Sequence, residues 1–96
     1  MANTSVQDRR EHPRIAVSWP VRMWVDEEMI VGRAVDISEQ GLCIITAPTD
    51  ALKRGACYRI DVVVGAESQF SCQGEVRHVT SSLVGVRTVE RLKLTA

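Results

Sequence analysis

From Ile15 to Val25 the chain alternates. Ile15, Val17, Trp19, Val21, Met23 and Val25 fall on one face, and Ala16, Ser18 and Arg22 on the other, which Asp26 continues. A period of two is the repeat of a strand buried on one side, whereas a helix would need its apolar positions every third or fourth residue. Pro20 stands in the middle of the run on the other face. A residue without a backbone N–H is admitted to a strand at a sheet edge or a bulge, so one of those is expected here.

The pattern repeats along the chain. The acidic "DEE" of Asp26 to Glu28 reads as a hairpin turn, and "MIVGRAVDIS" (residues 29–38) resumes an extended segment. "EQG" then turns into "LCIIT", and "PTDALKRG" connects to the β-branched "CYRIDVVV". "GAES" turns into "QFSCQGEVRHV", which joins "LVGVRTV" through "TSS". Only "VERLKLTA" (residues 89–96) has apolar residues at helical spacing, and it is expected to form a short C-terminal helix. Six short strands without intervening amphipathic helices point to an antiparallel all-β domain. Closure into a barrel is favoured because it removes unpaired edges, and periodicity leaves a two-sheet sandwich open.

Ninety-six residues, 45% of them hydrophobic and 25% charged, make one compact domain. Residues 1–14 are expected to form a flexible arm and residues 15–96 the barrel. Twelve basic and twelve acidic residues balance, which argues against long polyanions such as duplex DNA as partners. An anion bound by this chain is expected to be small. The basic residues are ten Arg to two Lys, and Arg suits bidentate contact with phosphate or with the O6/N7 edge of guanine. With four aromatic residues, Trp19, Trp24, Tyr58 and Phe70, the chain is short of the stacking platforms that a single-strand nucleic-acid binder needs. Neither DNA nor RNA is expected as a partner.

Cys43, Cys57 and Cys72 lack CxxC spacing and a nearby His, and they read as small buried residues in a reducing, cytoplasmic compartment rather than as zinc ligands. No apolar run is long enough to span a bilayer, so no membrane insertion is expected. His12 and His78 stand far apart without a nucleophile context or paired carboxylates, and no enzymatic role is expected.

Two binding motifs remain. "RREHPR" (Arg9 to Arg14) contains RxxxR as Arg10 and Arg14, on a segment where Pro13 opposes a helix. RxxxR alone is weak: about one match is expected by chance at this arginine content, and Arg87 with Arg91 is another. "DISEQG" (Asp36 to Gly41) matches [DN]xSxxG, which a random chain of this composition shows only about three times in a hundred. The plain reading of "DISEQG" is a strand end and turn, with Asp36 and Ser38 bonded to local backbone and Gly41 at positive φ. A sharper reading starts from alternation, which sets Asp36 and Ser38 on one face, where a carboxylate can accept from guanine N1 and N2 and a hydroxyl can meet phosphate. Together with arginines for phosphate and the Hoogsteen edge, the motifs are complementary to a guanine nucleotide.

"RREHPR" followed by "DISEQG", with "GRAVDISEQGLCI", "LKRGACYRIDV", "GEVRHV" and "LVGVRTVE" behind them, resembles the PilZ domain, a bacterial receptor for cyclic di-GMP. The resemblance covers nearly the whole chain. It implies a six-stranded antiparallel barrel whose N-terminal arginine loop folds over one outer face to clamp the dinucleotide. Arg10 and Arg14 would take phosphate and guanine, Asp36 and Ser38 a guanine and its phosphate, and Gly41 would keep the surface open. Arg9 resembles the type that binds a stacked, intercalated pair of ligands, and Arg77 would stack on a base. Gln40 and Thr88 depart from the family pattern, where a glycine and an aromatic are common. The expected role is a receptor or adaptor that orders its arm on ligand binding and signals to a partner protein, as a monomer or dimer. The alternative is a ligand-independent β-barrel interaction module.

Overall fold

A computed structural model describes residues 14–90 and 92 of the chain. Six strands follow one another: β1 (Ile15–Val25), β2 (Glu28–Ser38), β3 (Gly41–Thr46), β4 (Cys57–Gly65), β5 (Ser68–Val79) and β6 (Leu83–Thr88). They close into one antiparallel barrel in the order β1-β2-β3-β6-β5-β4. Closure decides against the sandwich, because every strand finds a partner on both sides and the inward residues meet in a single core.

That core follows the alternation. Val21 and Met23 of β1, Ala34 and Ile37 of β2, Leu42 and Ile44 of β3, Ile60 and Val62 of β4, Val76 of β5 and Val84 of β6 are all sealed from solvent. Each of these side chains larger than Ala34 contributes about 1.5–3 kcal/mol of burial. Trp19 and Phe70 pack against this core and are only partly covered. Leu52 enters the core from the β3–β4 connection. That connection is tied to β5, with Gly55 N–H donating to the Val76 carbonyl at 2.7 Å and Val76 N–H to that of Ala56 at 2.9 Å.

Of the two alternatives for Pro20 the local edge occurs, and the bulge in β1 lies just before it. The β1–β2 register shifts between Ala16 and Trp19, and β1 pairs with β4 only from Val21 to Trp24. Pro20 therefore sits just before the β4 ladder begins, where no donor is required of it. The first turn is narrower than "DEE": Val25 pairs with Glu28, leaving Asp26 and Glu27 at the tip, with Asp26 at a φ of 55°.

Two expectations change. The helix over 89–96 does not begin at Val89–Glu90, which are bends after β6, and residues 91 and 93–96 lie outside the described residues. The cysteines are not buried: Cys57 is exposed and Cys43 and Cys72 are half-buried, all as free thiols. Strand parity explains it. Cys43 and Cys57 fall on outward positions, and Cys72, opposite Ile60, points inward and packs against the core while staying only partly covered.

Candidate functional site

Arg14, the one described residue of "RREHPR", meets Asp36 of "DISEQG" on the outer face of β2. Arg14, the residue before β1, donates from Nε to Asp36 Oδ1 at 2.9 Å and brings Nη2 to the same oxygen at 2.7 Å. The β1–β2 ladder makes this possible, because Ala16 pairs with Asp36 and delivers the preceding arm to the carboxylate. The pair is one-third exposed on both sides, so it contributes no more than about 1 kcal/mol to folding. Both contacts fall on Oδ1. Among the described residues Oδ2 receives no hydrogen bond, and it is an acceptor available to an incoming N–H donor.

Asp36 stands outward because the β2–β3 register shifts between Ala34 and Asp36, placing Asp36 opposite Cys43. From there a row crosses the sheet: Cys43 is opposite Gly85 of β6, and Gly85 is opposite His78 of β5. Gly85 leaves the middle of this row without a side chain. A Cβ there would lie 3.4 Å from the nearest atom, His78 Cβ, so packing tolerates a larger residue and the glycine keeps the floor flat rather than keeping the fold intact. Burial, Asp36 and, in the opposite sense, Arg14 set the Cys43 thiol, whose pKa is raised, so it stays protonated and neutral in this floor.

The other members of "DISEQG" are turn builders. Ser38 is 3% exposed, and its Oγ accepts the Gln40 N–H at 3.3 Å. Gly41 is not at positive φ; it is required by close approach, since a Cβ would stand 2.7 Å from the Val86 carbonyl oxygen of β6. The Gln40 carbonyl accepts the Thr88 N–H at 2.9 Å, so both positions that depart from the family pattern help to fasten the turn to the end of β6.

Arg77 is not beside Asp36. It lies on β5, where the register shifts between Val76 and His78, with its guanidinium 3.9 Å from Glu75. Three strand spacings, roughly 15 Å, separate the ends of the row, so Arg77 and Arg14 flank the Gly85 floor from opposite sides. Arg9 and Arg10 lie outside the described residues.

Arg87 was passed over as a chance match to RxxxR. It is exposed on β6, with Gly41 opposite on one side and Glu75 on the other. This places it one row from Asp36 on the same outer face. Its proximity arises from β3–β6 pairing, and the one local sign was that it follows Gly85 by two residues.

A family model described as PilZ domain matches residues 8–95. Among solved structures, the inhibitor of motility MotI/DgrA from Bacillus subtilis superposes with a TM-score of 0.73 at 20% identity, covering 86% of this chain and 43% of that one. The PilZ domain of YcgR from Escherichia coli, solved with c-di-GMP, gives 0.74 at 18% identity, covering 84% of this chain and 78% of that one. The MrkH–c-di-GMP complex from K. pneumonia gives 0.64 at 16% identity, covering 92% of this chain and 46% of that one. This chain therefore spans less than half the length of the MotI and MrkH chains. No curated protein matches it by sequence.

Proposed function

The chain belongs to the PilZ domain family, and on that premise we propose that it is a non-catalytic receptor for cyclic di-GMP that signals to a partner protein through its N-terminal arm. The observation that carries this reading is the meeting of Arg14 and Asp36 at the edge of a flat floor, with the Asp36 Oδ2 open to a donor among the described residues. Guanine N1–H and N2–H are donors of that kind, and the planar base can lie over Gly85. Arg14, Arg87 and Arg77 surround the floor with guanidinium groups, and Arg9 and Arg10 precede Arg14 on the same arm. The dianionic ligand needs this excess of arginine, because Asp36 cancels one positive charge and Glu75 another. Ser38 acts by holding the turn, and Arg77 by stacking or phosphate contact.

The arm is rich in arginine and poor in apolar residues, so its ordering draws on the ligand's charge rather than on core burial. Arg9 is assigned to the second molecule of an intercalated ligand pair.

Calorimetric titration with cyclic di-GMP tests the reading. Wild type is expected to bind, with a stoichiometry that reports one ligand or two. Arg14→Ala and Asp36→Ala are each expected to weaken binding about 10- to 100-fold with the fold intact. Gly85→Leu is expected to fold and to bind weakly, because the added side chain stands on the floor. Undiminished binding in both alanine variants would remove the site assignment, and a flat wild-type titration would favour the ligand-independent module.

A further inference from the structure

β2 carries a second surface at its other end. The β3 ladder on β2 stops where Thr46 meets Gly32, so among the described residues Glu28–Val31 has β1 on one side and no strand on the other. Outward from this stretch stand Met29, 43% exposed, and Val31, 58% exposed. Trp24 is the cross-strand neighbour of Met29 and keeps 37% of its surface exposed. Its indole does not swing freely, because Nε1 donates to Asp61 Oδ2 at 2.9 Å. Ile45, 47% exposed, lies diagonally beyond Val31. An open strand edge beside exposed aliphatic residues is a feature that folds usually blunt with charge or cover. Here the charges stand to one side: Asp26, Glu27 and Glu28 are all exposed at the hairpin tip. At the inner limit stands Arg33, held by the Ser18 carbonyl and Oγ at 3.2 and 3.1 Å.

We propose that the Glu28–Val31 edge is a docking site for an extended segment of another protein, which adds to β2 as a short strand. The segment carries aliphatic residues at alternate positions, over Met29 and Val31, and Lys or Arg at the end that reaches Asp26–Glu28. Main-chain hydrogen bonds to the open edge hold such a segment, alternate side chains select it, and the acidic tip sets its direction. Met29 and Val31 are the anchors on the open side, because Trp24 lies one strand further in, on β1, with its indole turned to Asp61 of β4. A second copy of this chain fits poorly. Antiparallel pairing of two such edges would set Glu27 of one copy opposite Gly32 of the other, where Thr46 already lies. Parallel pairing would bring two acidic tips together.

The test uses the full chain and a short synthetic peptide of alternating valine and threonine with two lysines at one end, prepared with the lysines at either terminus. Amide N–H shifts are followed by NMR. Movement of the Glu28–Val31 amides is expected, absent for a peptide with a central proline and weaker for one ending in glutamates. Val31→Lys is expected to abolish the movement, and Glu27→Lys to weaken binding about two- to fivefold, the effect of one exposed charge pair. Both positions are at the surface, so unchanged shift dispersion elsewhere reports an intact fold. No shifts at millimolar peptide, or shifts centred on another strand, would overturn the proposal. So would concentration-dependent dimerisation in sedimentation that Val31→Lys removes, because it would give the edge to a second copy.

Discussion

Two aspartates stand on the outer face of this barrel, each bonded to an arginine, and their circumstances differ. Asp36 is one-third exposed, meets Arg14 through one oxygen, and keeps the other open. Asp61 of β4 is 4% exposed and uses both oxygens: Oδ1 accepts from Ser71 Oγ at 2.6 Å and Arg59 Nε at 3.1 Å, and Oδ2 from the Trp24 indole at 2.9 Å. The ladder explains the difference. Arg22, Asp61 and Ser71 are aligned across β1, β4 and β5, so Asp61 is walled by neighbours on both sides, with Trp24 and Arg59 closing over it. Asp36 has the small Cys43 and then Gly85 beside it. A satisfied, covered carboxylate fastens strands together. A half-satisfied one at the edge of a flat floor is available to a ligand.

The largest expected effects separate these roles directly. Asp61→Ala deprives three donors of their acceptor and is expected to lower stability by about 2–3 kcal/mol in urea unfolding, with ligand affinity unchanged. Asp36→Ala is expected to cost less than about 1 kcal/mol of stability while weakening cyclic di-GMP about 10- to 100-fold, the range for a lost hydrogen bond to a charged group. The reverse pattern would break the comparison.

Acid gives a smaller effect of the same origin. The Ser71 hydrogen bond, then those from Trp24 and Arg59, hold the Asp61 carboxyl below the ordinary aspartate range against the opposing effect of burial. A pKa depressed on folding contributes stability that is complete above the unfolded value and is lost as pH falls through the folded one. Urea midpoints measured downward from neutral pH are therefore expected to fall in acid, and Asp61→Asn to flatten that fall.

The smallest effect concerns the thiols. Burial, then Asp61, pushes the Cys72 thiol up to about 11, and Cys43 is raised as well, whereas Cys57 is exposed. Maleimide labelling of the folded protein at neutral pH is expected to modify Cys57 first, as mass mapping of the labelled peptides will show.

Most of the fold was legible because alternation is a local signal. The strand from Ile15 to Val25, the connection ending at Gly55 and the final hairpin around "TSS" all stand where the sequence places them. Pro20 announced an irregularity in β1. The cysteines misled because apolar character and parity were in conflict there, and parity prevailed at Cys43 and Cys57. At the site, the pairing of "RREHPR" with "DISEQG" was legible as a combination of motifs, and Asp36 and Arg14 do meet. Gly41 was assigned the wrong physical reason: what demands a glycine is the Val86 carbonyl of a strand more than forty residues away, which no local pattern contains. Arg87 was missed for the same reason.

What the sequence determined by itself is therefore the strand content, the inward residues and the identity of the two motifs, all properties with a range of a few residues. Tertiary structure alone decided barrel over sandwich, because closure depends on β1 finding β4 beyond two intervening strands of the sequence. It also decided which outward groups are neighbours: Asp36 with Cys43 and Gly85, Gly41 with Arg87, and Asp61 with Ser71 and Trp24. Register between strands distant in sequence sets those contacts, and register is fixed by the fit of the common core.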